Sequence, residues 1–195
     1  MEATITYFEK PGFDNSEEVF RIVGKRAKEL GIRKVITATN TGKTGIMAVR
    51  ALPDCEIICV THSVGFRKEN ISEFLEENRA EIEKSGGHIL TATHVFGGIN
   101  RAMRQGELQG STQTYVAGDI AAATLKCFCQ GMKVTVEIAS MAADAGLVRT
   151  DEEVISIAGT GKIGGGCDTA VVLKPAHAHN LFATQIKEIL CKPRR

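Results

Sequence analysis

The sequence predicts an α/β protein whose mainly parallel sheet lies between two layers of helices, as a three-layer sandwich. Short β-branched or apolar runs alternate with amphipathic segments, a pattern typical of βαβ units. The run Glu56-Ile57-Ile58-Cys59-Val60-Thr61 is apolar almost throughout, which indicates a strand buried on both faces. The last two runs, Val154–Ala158 and Thr169–Leu173, are joined by a loop too short for a helical crossover, so we expect that pair to be antiparallel.

The amino-terminal part is predicted to form a strand, a helix and a second strand. Residues Ala3–Phe8 alternate in the manner of a strand and end at the breaker Pro11-Gly12. A helix follows, with the capping residues Asp14-Asn15-Ser16 at its start and Gly31 at its end. Residues Lys34–Thr37 then form the second strand.

The alternation continues through the middle of the chain. A short helix over Ile46–Leu52 precedes the buried strand, and His88–Thr91 is the strand that comes next. Between these two strands, Asn70 and Glu73 have the spacing of a capping box, which predicts a helix that ends at Gly86-Gly87.

The remainder is predicted to be helical over residues 111–148, ahead of the last two strands, with a solvated tail over residues 192–195. Cys127 and Cys129 would lie on this helix, and none of the six cysteines belongs to a C-x-x-C pair. We therefore expect reduced, buried thiols and no metal site. The whole chain, residues 1–195, has the length of a single domain.

The charge balance argues against nucleic acid or a membrane as a partner. The 24 basic and 23 acidic residues leave a formal charge of +1, which creates no large attractive field. The sequence has neither a basic amino terminus followed by an apolar core nor an apolar run long enough to cross a bilayer. We expect a cytoplasmic protein, and the sequence leaves homo-oligomerisation open.

A hydroxyl-rich turn, Thr39-Asn40-Thr41-Gly42-Lys43-Thr44, stands between a strand and a helix and predicts an anion site. Amides at a helix amino terminus are unpaired, and the helix dipole, the hydroxyls and Lys43 would add to their attraction for phosphate. The turn is not a Walker A motif, because Thr37 replaces the glycine expected five positions before Gly42. The alternative is a helix-capping turn with a solvated lysine.

Two further loops follow predicted strands and carry imidazole, aromatic and glycine residues. Ligands of open α/β sheets bind beyond the carboxyl ends of the strands, so we expect these loops to meet the turn. In the first loop, ligand contacts are expected from Thr61, His62, Ser63, Gly65 and Phe66. In the second they are expected from Phe96-Gly97-Gly98. The alternative for both is an ordinary turn whose aromatic side chain closes the core.

The glycine-rich loop Gly159–Gly166 matches G-x-G-x-x-G in form, but it leads into a strand and not into a helix, so a Rossmann site is not expected. Gly161 and Lys162 of this loop are candidate ligand contacts, with a plain flexible hairpin as the alternative. Glu137 and Asp144 are acids within an apolar segment. Glu137 is a candidate general base, although capping or ion pairing is the favoured interpretation for both.

The run Val35–Arg67 resembles the C-terminal α/β domain of pyruvate kinase, and the loop into Asp168-Thr169-Ala170-Val171-Val172 looks like the closing hairpin of that domain. Nearly the whole chain is similar to a stand-alone archaeal family of pyruvate kinase C-terminal-like proteins. This similarity is carried by Asn40–Thr44, Thr61–Phe66 and Met141–Gly146.

The resemblance implies phosphate binding at the turn Thr39–Thr44, where pyruvate kinases hold a phosphate of their sugar bisphosphate effector. It does not imply kinase activity, because the catalytic barrel domain is not part of this sequence. The stand-alone family is associated with flavin mononucleotide (FMN), whose phosphate would suit the turn and whose ring would suit His62–Phe66. The alternatives are an enzyme acting on flavin or sugar phosphate, with His62, His94 or Glu137 moving protons, and a module that senses a phosphorylated effector.

Overall fold

A seven-stranded mixed sheet forms the centre of the protein. The computed structural model describes residues 2–104, 117–160 and 165–194. In chain order the strands are β1 (Thr6–Phe8), β2 (Lys34–Ala38), β3 (Glu56–Thr61), β4 (His88–Thr91), β5 (Val154–Ala158), β6 (Thr169–Lys174) and β7 (Gln185–Pro193).

The order of strands across the sheet is β1-β7-β6-β5-β2-β3-β4. Strands β5, β2, β3 and β4 are mutually parallel neighbours, so their carboxyl ends share one edge. Strand β6 is antiparallel to β5, which confirms the prediction for the last pair of predicted strands. Strand β7 runs antiparallel to β6 and parallel to β1.

The helices cover both faces of the sheet. They are α1 (Ser16–Leu30), α2 (Lys43–Ala51), α3 (Glu76–Lys84), α4 (Ile99–Arg104), α5 (Ala117–Lys126) and α6 (Gln130–Asp144), with short 3-10 helices at Phe13–Asn15 and Ala178–Ala183. None of the helices in the described part of the chain is long and apolar enough to cross a membrane.

Alternating side chains of the central strands fill two separate cores. On one face, Val35 packs in a cluster with residues of α1, α2 and α3. On the other face, the next residue, Ile36, packs with Met132 and Ile138 of α6. This alternation follows from the two-residue period of a strand, and it confirms the three-layer α/β architecture.

The helix predicted from a capping box at Asn70 and Glu73 begins later, at Glu76. Asn70 has a left-handed conformation, with φ of 60°. The Glu73 carboxylate contacts His62 and Arg67, so it is not available to cap a helix. The capping-box prediction was wrong because long-range ion pairs use the carboxylate that the motif requires.

The carboxyl-terminal strand β7 was not predicted, and the expected solvated tail was wrong in its first half. Lys192 and Pro193 belong to β7, and the amide of Arg194 donates to the carbonyl of Phe8. Strand β1 is shorter than predicted, starting at Thr6 and not at Ala3.

The prediction that Cys127 and Cys129 share a helix was also wrong. Both lie in the turn between α5 and α6. Cys129 is the residue that caps α6, and its Sγ accepts a hydrogen bond from the amide of Met132 at 3.3 Å. A cysteine side chain therefore performs the capping role that is more common for serine or threonine.

Candidate functional site

The loops that follow β2, β3 and β4 meet at the carboxyl edge of the sheet, as the parallel order requires. The hydroxyl of Thr61 donates to the carbonyl of Asn40 at 3.3 Å and so joins the loop after β2 to the loop after β3. The ring centroids of His62 and His94 lie 5.0 Å apart, so the loop after β3 contacts the loop after β4, called here the third loop.

The segment Thr39–Thr44, called here the anion cradle, ends at the start of α2. Gly42 is the N-cap residue of α2, with φ of 95°, and as a glycine it offers no side chain to cap the first helical amides of Lys43 and Thr44. The hydroxyl of Thr39 accepts from the amide of Gly45 at 3.4 Å. The amides of the first helical turn, the positive end of the helix dipole and the exposed Lys43 together favour an anion at this position.

Close packing beneath the cradle explains the glycine at its centre. A Cβ atom at Gly42 would lie 2.5 Å from Cβ of Asn78 and 3.0 Å from the ring of Phe74. Asn78 holds the turn from the same side, since its amide nitrogen donates to the carbonyl of Thr41 at 2.7 Å. The loop therefore combines a left-handed conformation with a contact that only glycine allows.

Thr37, which occupies the position of the missing Walker glycine, is fully buried at the end of β2. Its hydroxyl has no hydrogen-bond partner among the residues that the structure describes. Its backbone remains in the regular strand ladder, opposite Cys59 and Ile157. The strand thus continues through the point at which a Walker loop would begin.

Three rings and a guanidinium group form a cluster next to the cradle, called here the ring cluster: His62, Phe66, His94 and Arg101. The centroids of His62 and Phe66 are 3.9 Å apart, and those of Phe66 and His94 are 5.3 Å apart. The guanidinium carbon of Arg101 lies 4.1 Å from the centroid of Phe66, within the range of a cation–π contact.

Glu73 orients the imidazole of His62. Its Oε2 lies 2.5 Å from Nδ1 of His62, and its Oε1 lies 2.9 Å from Nε of Arg67. A carboxylate at this distance favours the tautomer with a proton on Nδ1. In the neutral ring, Nε2 is then the nitrogen that can accept a proton.

His94 differs from His62 in its surroundings. Burial lowers the pKa of His94 below its ordinary value, while the negative charge of Glu137 acts in the opposite direction. His94 is therefore expected to be neutral at physiological pH and to serve as a hydrogen-bonding group without charge.

Glu137 is almost completely buried on α6 and has partners for both carboxylate oxygens. Its Oε1 accepts from the amide of Phe96 at 3.1 Å, and its Oε2 pairs with Nζ of Lys133. Asp144 pairs with His177 at 3.2 Å and accepts from the amide of Ala178. The ion pairing expected for Glu137 is confirmed, and Glu137 fixes the start of the third loop, whereas Asp144 has a structural role through its hydrogen-bond contacts with His177 and Ala178.

The third loop presents its backbone and not its aromatic side chain. The ring of Phe96 is buried in a small cluster with Ala122 and Val136. Gly98 has φ of 54°, and a Cβ at Gly97 would lie 3.1 Å from Cβ of His94. These two glycines keep the loop close to the ring cluster.

Sequence reasoning did not identify Asp168, which anchors the start of the glycine-rich loop. Its carboxylate accepts from the amides of Gly12 and Thr160 at 3.0 and 3.3 Å and from the hydroxyl of Thr169 at 2.8 Å. Burial raises its pKa above the ordinary value. The position of this acid within the apolar run 167–173 was the feature of the sequence that could have indicated a buried, hydrogen-bonded carboxylate. Gly161 and Lys162 lie outside the described residues.

The structure also contains a cleft far from these groups. It lies at the amino ends of β2 and β3, has a volume of about 700 Å³ and is lined by residues such as Arg33, Cys55 and Glu153. At the carboxyl edge a helix amino terminus, two imidazoles and a cation–π pair occur together. We therefore assign the candidate site to the carboxyl edge.

Residues 17–173 match the family model for the pyruvate kinase alpha/beta domain. The chain belongs to this family. The matched region contains the anion cradle, the ring cluster, Glu137 and Asp168. Membership agrees with the resemblance found in the sequence.

Proposed function

We propose that the carboxyl edge of the sheet binds a phosphorylated mononucleotide, and that the ligand is flavin mononucleotide. The proposal rests on one observation: the amino terminus of α2 stands beside a cluster of aromatic and imidazole rings. The hydrogen bond from Thr61 to Asn40 fixes one to the other. An anion site joined to a stacking surface suits a ligand with a phosphate and a planar ring.

In this proposal the phosphate lies against the amides of Lys43 and Thr44, with the hydroxyls of Thr39, Thr41 and Thr44 and the Lys43 ammonium around it. The ring lies against His62 or Phe66. Ser63, Gly65 and the glycines Gly97-Gly98 permit close approach of backbone. Gly65 is in a left-handed conformation with φ of 80°, so a side chain there would be strained.

The flavin itself would supply hydride or single-electron transfer. The residues of the chain would orient it and exclude water. The buried Glu137 holds the amide of Phe96 and so keeps the third loop against the site. His94, uncharged, would offer a neutral donor or acceptor to the polar edge of the ring.

The proposal is tested by the spectrum of the purified protein and by its thermal stability. A yellow protein with a flavin spectrum, or a rise in melting temperature on addition of FMN, would support it. A colourless protein whose melting temperature is unchanged by excess FMN would contradict it. Riboflavin, which lacks the phosphate, is the matched control, and it should stabilise the protein less.

A second candidate function is proton transfer at the same site, favoured by the contact between His62 and Glu73 at 2.5 Å. A carboxylate that orients an imidazole is a common arrangement in general base catalysis. If FMN binds, anaerobic mixing with reduced nicotinamide or with candidate metabolites tests for enzymatic reduction. Reduction that His62→Asn slows without weakening FMN binding would favour an enzyme, and absence of reduction by every donor would favour a passive binder.

A further inference from the structure

Strand β1 lies at one end of the sheet, and no strand among the described residues lies on its outer side. It pairs with β7 over Thr6, Tyr7 and Phe8, and the described residues before Thr6 lie outside any strand. The alternation of the sequence nevertheless begins at Ala3. The segment Ala3–Phe8, called here the edge segment, therefore has the sequence of a longer strand than one copy of the chain forms.

The edge segment lacks two features that commonly protect the outer strand of a sheet from pairing with another chain. Such strands often carry charged residues or proline. The edge segment contains neither, and most of its residues are threonine, isoleucine or aromatic residues, which favour the strand conformation. Its outer residues are accessible, since Ile5 is 37% exposed and Tyr7 54%. The edge is therefore open to a further strand.

The peptide groups of β1 point alternately towards β7 and away from it. The carbonyl of Phe8 accepts from the amide of Arg194, so Phe8 and Thr6 face β7. By the same alternation, the N–H and C=O groups of Ile5 and Tyr7 point to the outer side. Two outward-facing residues that lie opposite each other in an antiparallel pair exchange both backbone hydrogen bonds.

We propose that the edge segment of one copy pairs antiparallel with the edge segment of a second copy, with Thr6 on the two-fold axis. The two seven-stranded sheets then join into one continuous sheet. Two identical strands related by a two-fold axis are necessarily antiparallel, so the contact is symmetric and closed. In this register Ile5 of each copy lies opposite Tyr7 of the other, and a branched aliphatic side chain opposite an aromatic ring is a favourable contact.

Charge complementarity favours a second copy as the occupant and selects the register. With Thr6 on the axis, Glu2 of each copy lies opposite Lys10 of the other. Both side chains are exposed, and neither forms an ion pair with a residue that the structure describes in its own chain. The adjacent registers that keep the outward peptide groups paired place Glu2 opposite Phe8 or Gly12 instead. The chain bends after Phe8, so these ion pairs join long side chains at the two ends of the hydrogen-bonded ladder.

The contact leaves the candidate site accessible. The anion cradle and the ring cluster follow β2, β3 and β4, and strands β7, β6 and β5 separate β1 from β2. The dimer therefore does not depend on the ligand proposed for the carboxyl edge. In strand addition the affinity comes mainly from main-chain hydrogen bonds, so we expect a dimer that dissociates on dilution.

The test is sedimentation velocity of the full chain over a hundredfold range of concentration at low salt. We expect a species with twice the 21.0 kDa mass of one chain. Ile5→Pro removes an outward-facing amide but no hydrogen bond to β7, so it should give a monomer that keeps its fold. Ile5→Val, which keeps the amide and the branched side chain, is the matched control and should leave the dimer intact.

Reversals of charge test the register. Glu2→Lys and Lys10→Glu, each alone, should weaken the dimer about tenfold, because like charges then face each other at both ends of the contact. The variant that carries both changes should regain the affinity of wild type. Glu69→Lys, at an exposed position on the loop after β3, controls for the change in net charge and should have no effect.

Three results would overturn the proposal. The first is a wild-type protein that is monomeric at every concentration. The second is a dimer that Ile5→Pro weakens no more than Ile5→Val does. The third is a pair of single charge reversals whose effects the double variant does not cancel. Far-ultraviolet circular dichroism verifies the fold of each variant. The charge reversals lie at exposed positions, so they decide the matter even if Ile5→Pro impairs folding.

Discussion

The anion cradle and the ring cluster lie on neighbouring loops of one sheet edge, but different interactions define them. The cradle is built mainly from backbone: the left-handed Gly42, the amides at the start of α2, and a carbonyl held by Asn78. The ring cluster depends on side chains from separate elements, with Glu73 behind His62 and Glu137 near His94. One site therefore combines a locally encoded half with a half that only tertiary packing creates.

The largest expected effect concerns the side-chain half of the site. Glu137→Ala removes the carboxylate that pairs with Lys133 in a largely buried ion pair. It also removes the acceptor for the amide of Phe96. We expect a loss of about 3–5 kcal/mol in the free energy of unfolding, measured by urea denaturation. Glu81→Ala breaks an exposed pair with Arg50 and should cost less than about 1 kcal/mol. Equal losses would show that Glu137 has no special structural role.

The next effect concerns the backbone half. Gly42→Ala places a Cβ 2.5 Å from that of Asn78 and forces a side chain into a left-handed conformation. We expect a loss of about 2–3 kcal/mol in the free energy of unfolding. Gly31→Ala is the control, since Gly31 has φ of 68° with open space around it and should cost about 1 kcal/mol. If both variants lose the same free energy of unfolding, the contact between the cradle and Asn78 does not constrain Gly42.

A smaller effect should appear in the dependence of stability on pH. Because burial lowers the pKa of His94 in the folded protein, the unfolded chain binds this proton more readily. The neutral His94 side chain therefore contributes its full stability above pH 6.5, the ordinary pKa that it has in the unfolded chain. This contribution is lost as the pH falls through the lower pKa that His94 has in the folded protein. Below pH 6.5, the free energy of unfolding of His94→Asn should therefore fall less steeply with decreasing pH than that of wild type, by up to about 1.4 kcal/mol per pH unit. Identical slopes would contradict the assignment.

The same division explains what could be predicted from the sequence. The cradle was identifiable because its glycine, hydroxyls and lysine are consecutive residues between a strand and a helix. The pairing of Glu73 with His62, and of Glu137 with the amide of Phe96, depends on contacts between elements distant in sequence. The capping box predicted at Asn70 failed for this reason, because its glutamate, Glu73, pairs with His62 and Arg67 instead.

Strand β7 shows a second reason for incomplete prediction. Its residues Gln185–Pro193 mix charged and apolar side chains, and register shifts against β6 interrupt the two-residue period. The alternation that marks a strand is therefore weak there. Strands β3 and β4, which have no register shift in their pairing, were predicted with the bounds that the structure shows.

A fluorescence titration of flavins against wild type and Lys43→Ala tests whether the anion cradle holds the phosphate of a flavin. If the cradle binds phosphate beside the ring cluster, FMN should bind wild type at least about tenfold more tightly than riboflavin does, a difference of roughly 1.4 kcal/mol. Lys43→Ala should remove most of this preference without changing riboflavin affinity, and Lys28→Ala, an exposed lysine on α1, should preserve it. Equal affinity of wild type for the two flavins, or a preference for FMN that survives Lys43→Ala, would show that the cradle does not bind the phosphate.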